Sequence, residues 1–339
     1  MTSRSFASFQ DAYLWYLREA FERPEYRNAP RGAKSSELIG VSYRIADPVQ
    51  RVVSLPSRRT NLVFNFAEAL WYLAGSNRLP HIEYYAPTIA RYSADGRTLT
   101  GTAYGPRIFD YGGAGLDQWR SVIRTLTDDR DSKRAVIQIF DPRELLVEDN
   151  IDVACTLALQ FMIRDDRLCG VGFMRANDAF RGMASDVFSF TLLLEVMARQ
   201  LGVEVGTYHH HVGSMHVYDT DAAWAERVLD EAAATPAGGA DFPAMPGGDN
   251  WPHIRQVLAW ERELRLDATR LTPGHLSRLD LPDYWRHVVA LFEVYRQIRH
   301  ATGVDPAMLD ELPAPYRSSV LTRWPEFHRP DQPAYAKPM

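Results

Sequence analysis

Cysteine is scarce in this chain: Cys155 and Cys169 are the only two among 339 residues. Two thiols cannot build a disulfide framework or a self-contained metal site, so a reducing cytoplasm is expected. Long apolar runs are missing as well. No stretch approaches the roughly 18 uninterrupted apolar residues of a membrane span, and Met1-Thr2-Ser3-Arg4-Ser5-Phe6 lacks the apolar stretch of a secretory leader. Basic charge is in short supply, with 38 Lys and Arg against 43 Asp and Glu and a net charge of −5. That balance argues against a protein that coats a nucleic acid polymer, although a local basic pocket for one phosphate remains compatible with it. No internal repeat is visible. Apolar residues make up 46% of the chain, enough for one large core or two ordinary domains.

The hydrophobic pattern predicts an α+β fold with several strands packed under long helices. Ser8 and Asp11 form a capping-box signature ahead of an amphipathic stretch containing Tyr13, Leu14, Leu17, Ala20 and Phe21. Residues 27–37 are polar and punctuated by Gly and Pro, and read as a surface loop. Thr60 or Asn61 caps a helix running to Leu73 and stopped by Gly75. β-like runs cover 133–140, 156–163, 168–174 and 208–218. A long apolar helix with Asp186 near its start ends at Gly202, and 220–234 reads as an exposed helix. A Pro/Gly-rich stretch, 235–252, separates this core from a tail with one amphipathic helix, about 284–299, and a Pro-rich end.

Reactive and polar groups cluster within 64 residues. Cys155 precedes a strand-like run, Arg175-Ala176-Asn177-Asp178 ends another, Asp186 follows Gly182, and His216 and Tyr218 close the series. Each has an ordinary reading: a cysteine as a small buried hydrophobe, arginines as solvated charge, an acid as a helix-start residue. Together they suit a different chemistry. A thiol near Arg175 and Arg134 gains thiolate character, and arginine forks, with Lys133 and Arg134 as a second basic pair, suit a phosphate. His216 and Tyr218 share one strand face and both reach toward a sugar hydroxyl. Cys169 alternates with Val171 and Phe173 and reads as core. His209, His210 and His211 alternate faces and lack nearby acids, so no metal site is expected there.

These residues occur in an order that resembles the thymidylate synthase family and its deoxycytidylate hydroxymethylase branch. Glu68-Ala69-Leu70-Trp71 with Gly75, Tyr104-Gly105, Ser132-Lys133-Arg134, Cys155, Arg175 to Asp178, Gly182 to Asp186, and Gly213 to Tyr218 carry the match, over about 60–220. The resemblance implies a mixed sheet with long packing helices, and a homodimer formed through the sheet face with shared sites. It implies one domain over 1–339, divergent and helical from about 250, and 5,10-methylenetetrahydrofolate as one-carbon donor. By the same resemblance Cys155 attacks C6 of a pyrimidine nucleotide, Glu68 organises water and Tyr104 stands near the proton lost from C5. Arg31, Lys133, Arg134, Arg175 and Ala176 hold phosphate, His216 and Tyr218 the sugar, Asn177, Asp178 and Asp186 the base, and Asp178 and Gly182 the folate.

Departures from the family pattern set the expected specificity. Asp186 stands where thymidylate synthases carry asparagine. A carboxyl that holds or shares a proton matches N3 and N4 of cytosine, the reverse of uracil's pattern. Ala176 replaces a serine and Lys133 an arginine, which loosens the phosphate grip and favours CMP over dCMP. Thr156 replaces the histidine after the nucleophile, and no terminal folate-capping segment is recognisable. The expected reaction is therefore 5-hydroxymethylation of CMP or dCMP. Rival readings are thymidylate synthase-type methylation of a uridine nucleotide, a thiol hydrolase pairing Cys155 with one of His209 to His211, and a nucleotide-binding protein without activity.

Overall fold

The structure is a computed structural model and describes residues 4–235, 241–301 and 303–327. Seven strands form one mixed sheet: β1 (Arg4–Phe6), β2 (Tyr26–Asn28), β3 (Ser35–Ile45), β4 (Val136–Gln138), β5 (Thr156–Arg164), β6 (Arg167–Asp178) and β7 (Glu204–Tyr218). Their order is β1-β3-β7-β6-β5-β4, with β2 added on β3. The β5–β6 hairpin and the β3–β7 pair are antiparallel, and β6 and β7 run parallel. A parallel pair needs a crossover, and the 20-residue helix Gly182–Leu201 supplies it. That helix is buried almost throughout and stops at Gly202, whose φ of 68° suits the left-handed cap.

The helix Phe9–Glu22 begins at the Ser8/Asp11 capping box, and Asn61 caps Leu62–Leu73 through the Phe64 amide at 3.1 Å. Leu62–Leu73 packs along Gly182–Leu201, so Glu68 comes to lie beside Ser189. Two expectations fail here. Residues 27–37 are not simply a loop: Asn28 pairs with Ser35, which with Ser36 opens β3 buried, a strand hidden by its polar opening. The 235–252 stretch is no clean separator, although 236–240 lie outside the described residues. Phe242 and Met245 are buried, and a helix, Trp251–Arg265, starts inside the stretch. The tail contributes Asp283–His300 as expected, together with shorter helices at Pro306–Asp310 and Ala314–Arg323. Its Pro-rich end, 328–339, lies outside the described residues.

The tail is joined to the core by aromatic packing. Phe66 lies 6.2 Å from Phe242, 6.4 Å from Tyr284 and 5.4 Å from Tyr316, ring centre to ring centre. A fully buried Arg51–Glu195 pair lies in the same region, and Glu195 also accepts from the Met245 amide at 2.7 Å. That bond supports the buried carboxylate, whereas Arg51 Nε and Nη1 are buried without a hydrogen-bond partner among the described residues.

Candidate active site

Cys155 immediately precedes β5, and Arg175 lies near the end of β6, opposite it in the hairpin. The Arg175 guanidinium donates to the carbonyls of Ala154 at 2.9 Å and Val153 at 3.0 Å, and reaches Cys155 Sγ at 3.7 Å. Gly213 lets β7 pass close to the Arg175 backbone, because a Cβ there would come within 2.8 Å of the Arg175 carbonyl oxygen. Burial raises the Cys155 thiol above its ordinary range, and Arg175 and Arg31 pull it back down, while Asp186 and Asp152 raise it further. The expected thiolate stabilisation is thus outweighed by burial in this state. Arg134 takes no part in it: Val136 pairs with Gln160, and Gln160 donates to the Lys133 carbonyl at 2.9 Å. Lys133 and Arg134 are exposed at that point, roughly 17 Å along the strand from Cys155 at the usual rise per residue.

Tyr104 opens a short helix, Tyr104–Phe109, and its hydroxyl accepts a hydrogen bond from Thr156 Oγ1 at 3.0 Å. Its ring stacks on Tyr72 at 4.9 Å. The Thr156 hydroxyl is thus a donor at this corner. Asp152 braces the same corner. Its carboxylate accepts from the amides of Thr100, Gly101 and Thr102 at 2.7, 2.9 and 2.8 Å, and from Thr102 Oγ1 at 2.5 Å. The segment before the thiol is thereby tied to the segment before Tyr104.

Asp178 and Asp186 divide two tasks that the sequence left ambiguous. Asp178 Oδ1 accepts from the amides of Phe180 at 2.8 Å and Arg181 at 3.0 Å, forming the turn that leads into Gly182–Leu201. Asp186 lies one turn inside that helix and caps nothing. Its Oδ2 accepts from Asn177 Nδ2 at 2.7 Å. Burial pushes the Asp186 carboxyl up to about 7; the Asn177 hydrogen bond opposes the shift and Asp178 adds to it. Burial, and next the charge of Asp186, push Glu68 up to about 8, with Ser189 and Tyr72 opposing. Two acids held near neutrality by burial, beside a thiol and a tyrosine, form the type of cluster that performs proton transfer.

His216 and Tyr218 lie at the end of β7, their rings 5.0 Å apart, and His216 pairs in register with Asp178. Ala176 is opposite Ser214, partly buried, next to Arg175. Arg31 is exposed, with a φ of 50°, and its charge is felt at both Cys155 and Tyr218. Of the proposed phosphate residues, Arg31, Arg175 and Ala176 therefore gather near the thiol within one chain, and Lys133 and Arg134 do not. Cys169 is partly exposed and accepts from Thr207 Oγ1 at 3.6 Å, so it is not the core residue expected. No group of three or more metal-ligating side chains occurs among the described residues. None of the helices among them is long and apolar enough to cross a membrane.

Sequence reasoning gave no role to Asp152 or Tyr208, and read Thr156 only as a departure and His210 only as a metal or hydrolase candidate. Tyr208 and His210 were hidden because burial along β7 changes phase: Tyr208, His210 and Val212 are buried before Gly213, and Met215 and Val217 after it.

The family model described as thymidylate synthase matches residues 11–237. The chain belongs to the thymidylate synthase family. It is 33% identical over 205 residues to a deoxyuridylate hydroxymethyltransferase of Bacillus phage SP01, covering 57% of this chain and 53% of that protein. A deoxyuridylate hydroxymethyltransferase of Pseudomonas phage M6 is 31% identical over 324 residues, 91% of this chain and 88% of its own length. A thymidylate synthase of Francisella philomiragia is 24% identical over 244 residues, 69% of this chain and 86% of its own. The chain thus spans little more than half of the phage SP01 relative. Family members transfer a one-carbon unit from 5,10-methylenetetrahydrofolate to a pyrimidine nucleotide.

The residues present fit that donor. Asp178 Oδ2 has no hydrogen-bond partner among the described residues, leaving an acceptor for the N–H groups of a pterin. Gly182 presents no side chain above it, where a Cβ would meet Asn177 Nδ2 and Asp186 Oδ2 at 3.4 Å.

Proposed function

We propose that this enzyme hydroxymethylates C5 of a cytidine 5′-monophosphate, CMP ahead of dCMP, with 5,10-methylenetetrahydrofolate and water. The observation that carries this reading is Asp186: a carboxyl pushed up to about 7, held by Asn177 through one oxygen, with the other oxygen free of protein partners among the described residues. Such an acid donates to N3 of cytosine and accepts from its amino group. A wrongly presented base leaves buried groups unpaired, at roughly 1–3 kcal/mol each.

Cys155 supplies the sulfur that bonds to C6, with Arg175 and Arg31 favouring its thiolate. Arg175 and Arg31 take the phosphate in the same chain. Lys133 and Arg134 do so from a second copy, which makes the active form a homodimer with shared sites. The partly exposed Phe173 and His211, stacked at 5.2 Å, and Ile39, 56% exposed, suit a sheet face covered by that copy. His216 and Tyr218 hold the sugar. The missing hydroxyl at Ala176 and the Lys133 substitution leave room to admit a ribose 2′-hydroxyl. Tyr104, with Thr156, stands beside the proton lost from C5, which leaves to water through hydrogen bonds at the Tyr104 hydroxyl, and Glu68, protonated near neutrality, positions the water that completes the hydroxymethyl group. Methylenetetrahydrofolate supplies the one-carbon unit, and Asp178 with the open surface at Gly182 would hold its pterin.

A second reading, hydroxymethylation of deoxyuridylate, is favoured by the names of the phage relatives. Release of C5 tritium from CMP, dCMP, UMP and dUMP in the presence of methylenetetrahydrofolate separates the two, with mass spectrometry of the product distinguishing hydroxymethyl from methyl. CMP should release tritium fastest and yield a 5-hydroxymethyl product, and Cys155→Ala should release none. Release from the uridine nucleotides alone would overturn the base assignment, and a 5-methyl product would overturn the hydroxymethyl assignment.

A further inference from the structure

A buried polar chain runs behind Asp186. Asn177 donates from Nδ2 to Asp186 Oδ2 at 2.7 Å, Asn177 Oδ1 meets His210 Nε2 at 3.1 Å, and His210 Nδ1 meets the Tyr208 hydroxyl at 2.8 Å. Asn177 and His210 are buried, as is Tyr208, so none of the three can exchange these partners for solvent without cost. The fold makes room for the chain. Gly172 pairs with His210 across β6 and β7, and a Cβ on it would fall 2.2 Å from the Tyr208 hydroxyl.

With Asp186 ionised, the donors and acceptors have one consistent direction. Burial pushes His210 down to about 3, so its ring is neutral and carries a single proton. An ionised Asp186 oxygen only accepts, so the Asn177 amide nitrogen faces it and the amide oxygen faces His210. That oxygen needs a donor, which places the ring proton on Nε2 and leaves Nδ1 to accept from Tyr208. Asp186 Oδ2 is thereby fixed as an acceptor. When Asp186 takes a proton, Oδ1 carries it, on the side with no protein partner among the described residues. If the amide were reversed, the proton would move to Oδ2 and Oδ1 would accept, which suits the N3–H of uracil.

Building on the assignment of Asp186 to the base, we infer that Tyr208, His210 and Asn177 are positioning residues that set which Asp186 oxygen donates, and thereby select cytosine over uracil. They act through Asp186 and touch no substrate themselves.

Calorimetric titration of CMP and UMP into the full-length protein tests this through the ratio of their affinities. His210→Phe keeps the ring volume, removes the Nε2 donor and frees the amide to reverse. The CMP:UMP ratio should fall about tenfold, the cost of one misdirected hydrogen bond. His210→Gln, whose amide donates to Asn177 and accepts from Tyr208, should restore the ratio to within about threefold. Tyr208→Phe should shift it about threefold in the same direction, and becomes the deciding variant if His210→Phe does not fold. A wild type preferring CMP, combined with an unchanged ratio in the variants or equal weakening of both nucleotides, overturns the relay and leaves the base assignment standing. A wild type that binds UMP at least as tightly as CMP overturns the base assignment, and the relay with it.

Discussion

Asp186 illustrates how little a residue's identity says before its surroundings are known. In sequence it is an acid near a helix start; in the fold it is half-buried, held by Asn177 through one oxygen, with its carboxyl pushed up to about 7. The sign of its pH dependence follows. Its protonated form, the one that donates to cytosine N3, is populated below about 7 and lost above it. kcat/KM for CMP, which reports the free enzyme, should therefore decline about tenfold per unit as pH rises well past that value. Asp186→Asn should remove the fall that begins near 7, leave the one that deprotonation of Glu68 imposes near 8, and move preference toward uridine nucleotides; steady-state kinetics on CMP and UMP from pH 5.5 to about 9 check both. Cys155, Arg175, Asp186, His216 and Tyr218 could be singled out as candidates in sequence because each belongs to a short segment in family order. Tyr208 and His210 were not, since a tyrosine and a histidine on a strand acquire meaning only from what faces them across β6.

At the level of elements, the site depends on two loops that are distant in sequence. Asp152 joins residues 100–102 to the segment carrying Cys155, and Gly101 sits so close that a Cβ there would fall 2.0 Å from the Asp152 carbonyl oxygen. Asp152→Ala should lower stability by about 2–4 kcal/mol, because it leaves three backbone amides without their acceptor. It should also reduce kcat for tritium release more than it raises KM for nucleotide, since Cys155 and Tyr104 lose their mutual register. Urea denaturation and steady-state kinetics measure the two effects separately. Helices with strong caps, at Ser8 and Asn61, were predicted close to their observed bounds, because the capping side chain and the helix it caps are neighbours in sequence. β3 was not. Its opening, Ser35-Ser36-Glu37, is polar and becomes strand only through pairing with β7 and β2.

For the whole molecule, the open question is where Lys133 and Arg134 do their work. Within one chain they are exposed and well removed from the thiol. A two-fold assembly that delivers them to a partner's site predicts intersubunit complementation. Cys155→Ala and Arg134→Ala should each be inactive as pure dimers. Mixed after mild dissociation, they should recover about a quarter of wild-type activity, because half the dimers are hybrids with one intact site. Failure to recover activity, with hybrids verified by mass spectrometry, would mean that each site is built from one chain. The tail belongs to the same scale. Tyr284 and Tyr316 pack on Phe66, two residues before Glu68, so the helices beyond residue 250 support the helix that carries a site acid.

The chain's order of residues determined by itself the family, the limits of the capped helices and the candidate residues of the site, since those depend on identity and on neighbours along the backbone. Tertiary structure decided the protonation of Asp186 and Glu68, the burial that holds the Cys155 thiol up, and the partners of Asn177. These are matters of desolvation and of contacts between strands and helices far apart in sequence, and a one-dimensional string contains neither.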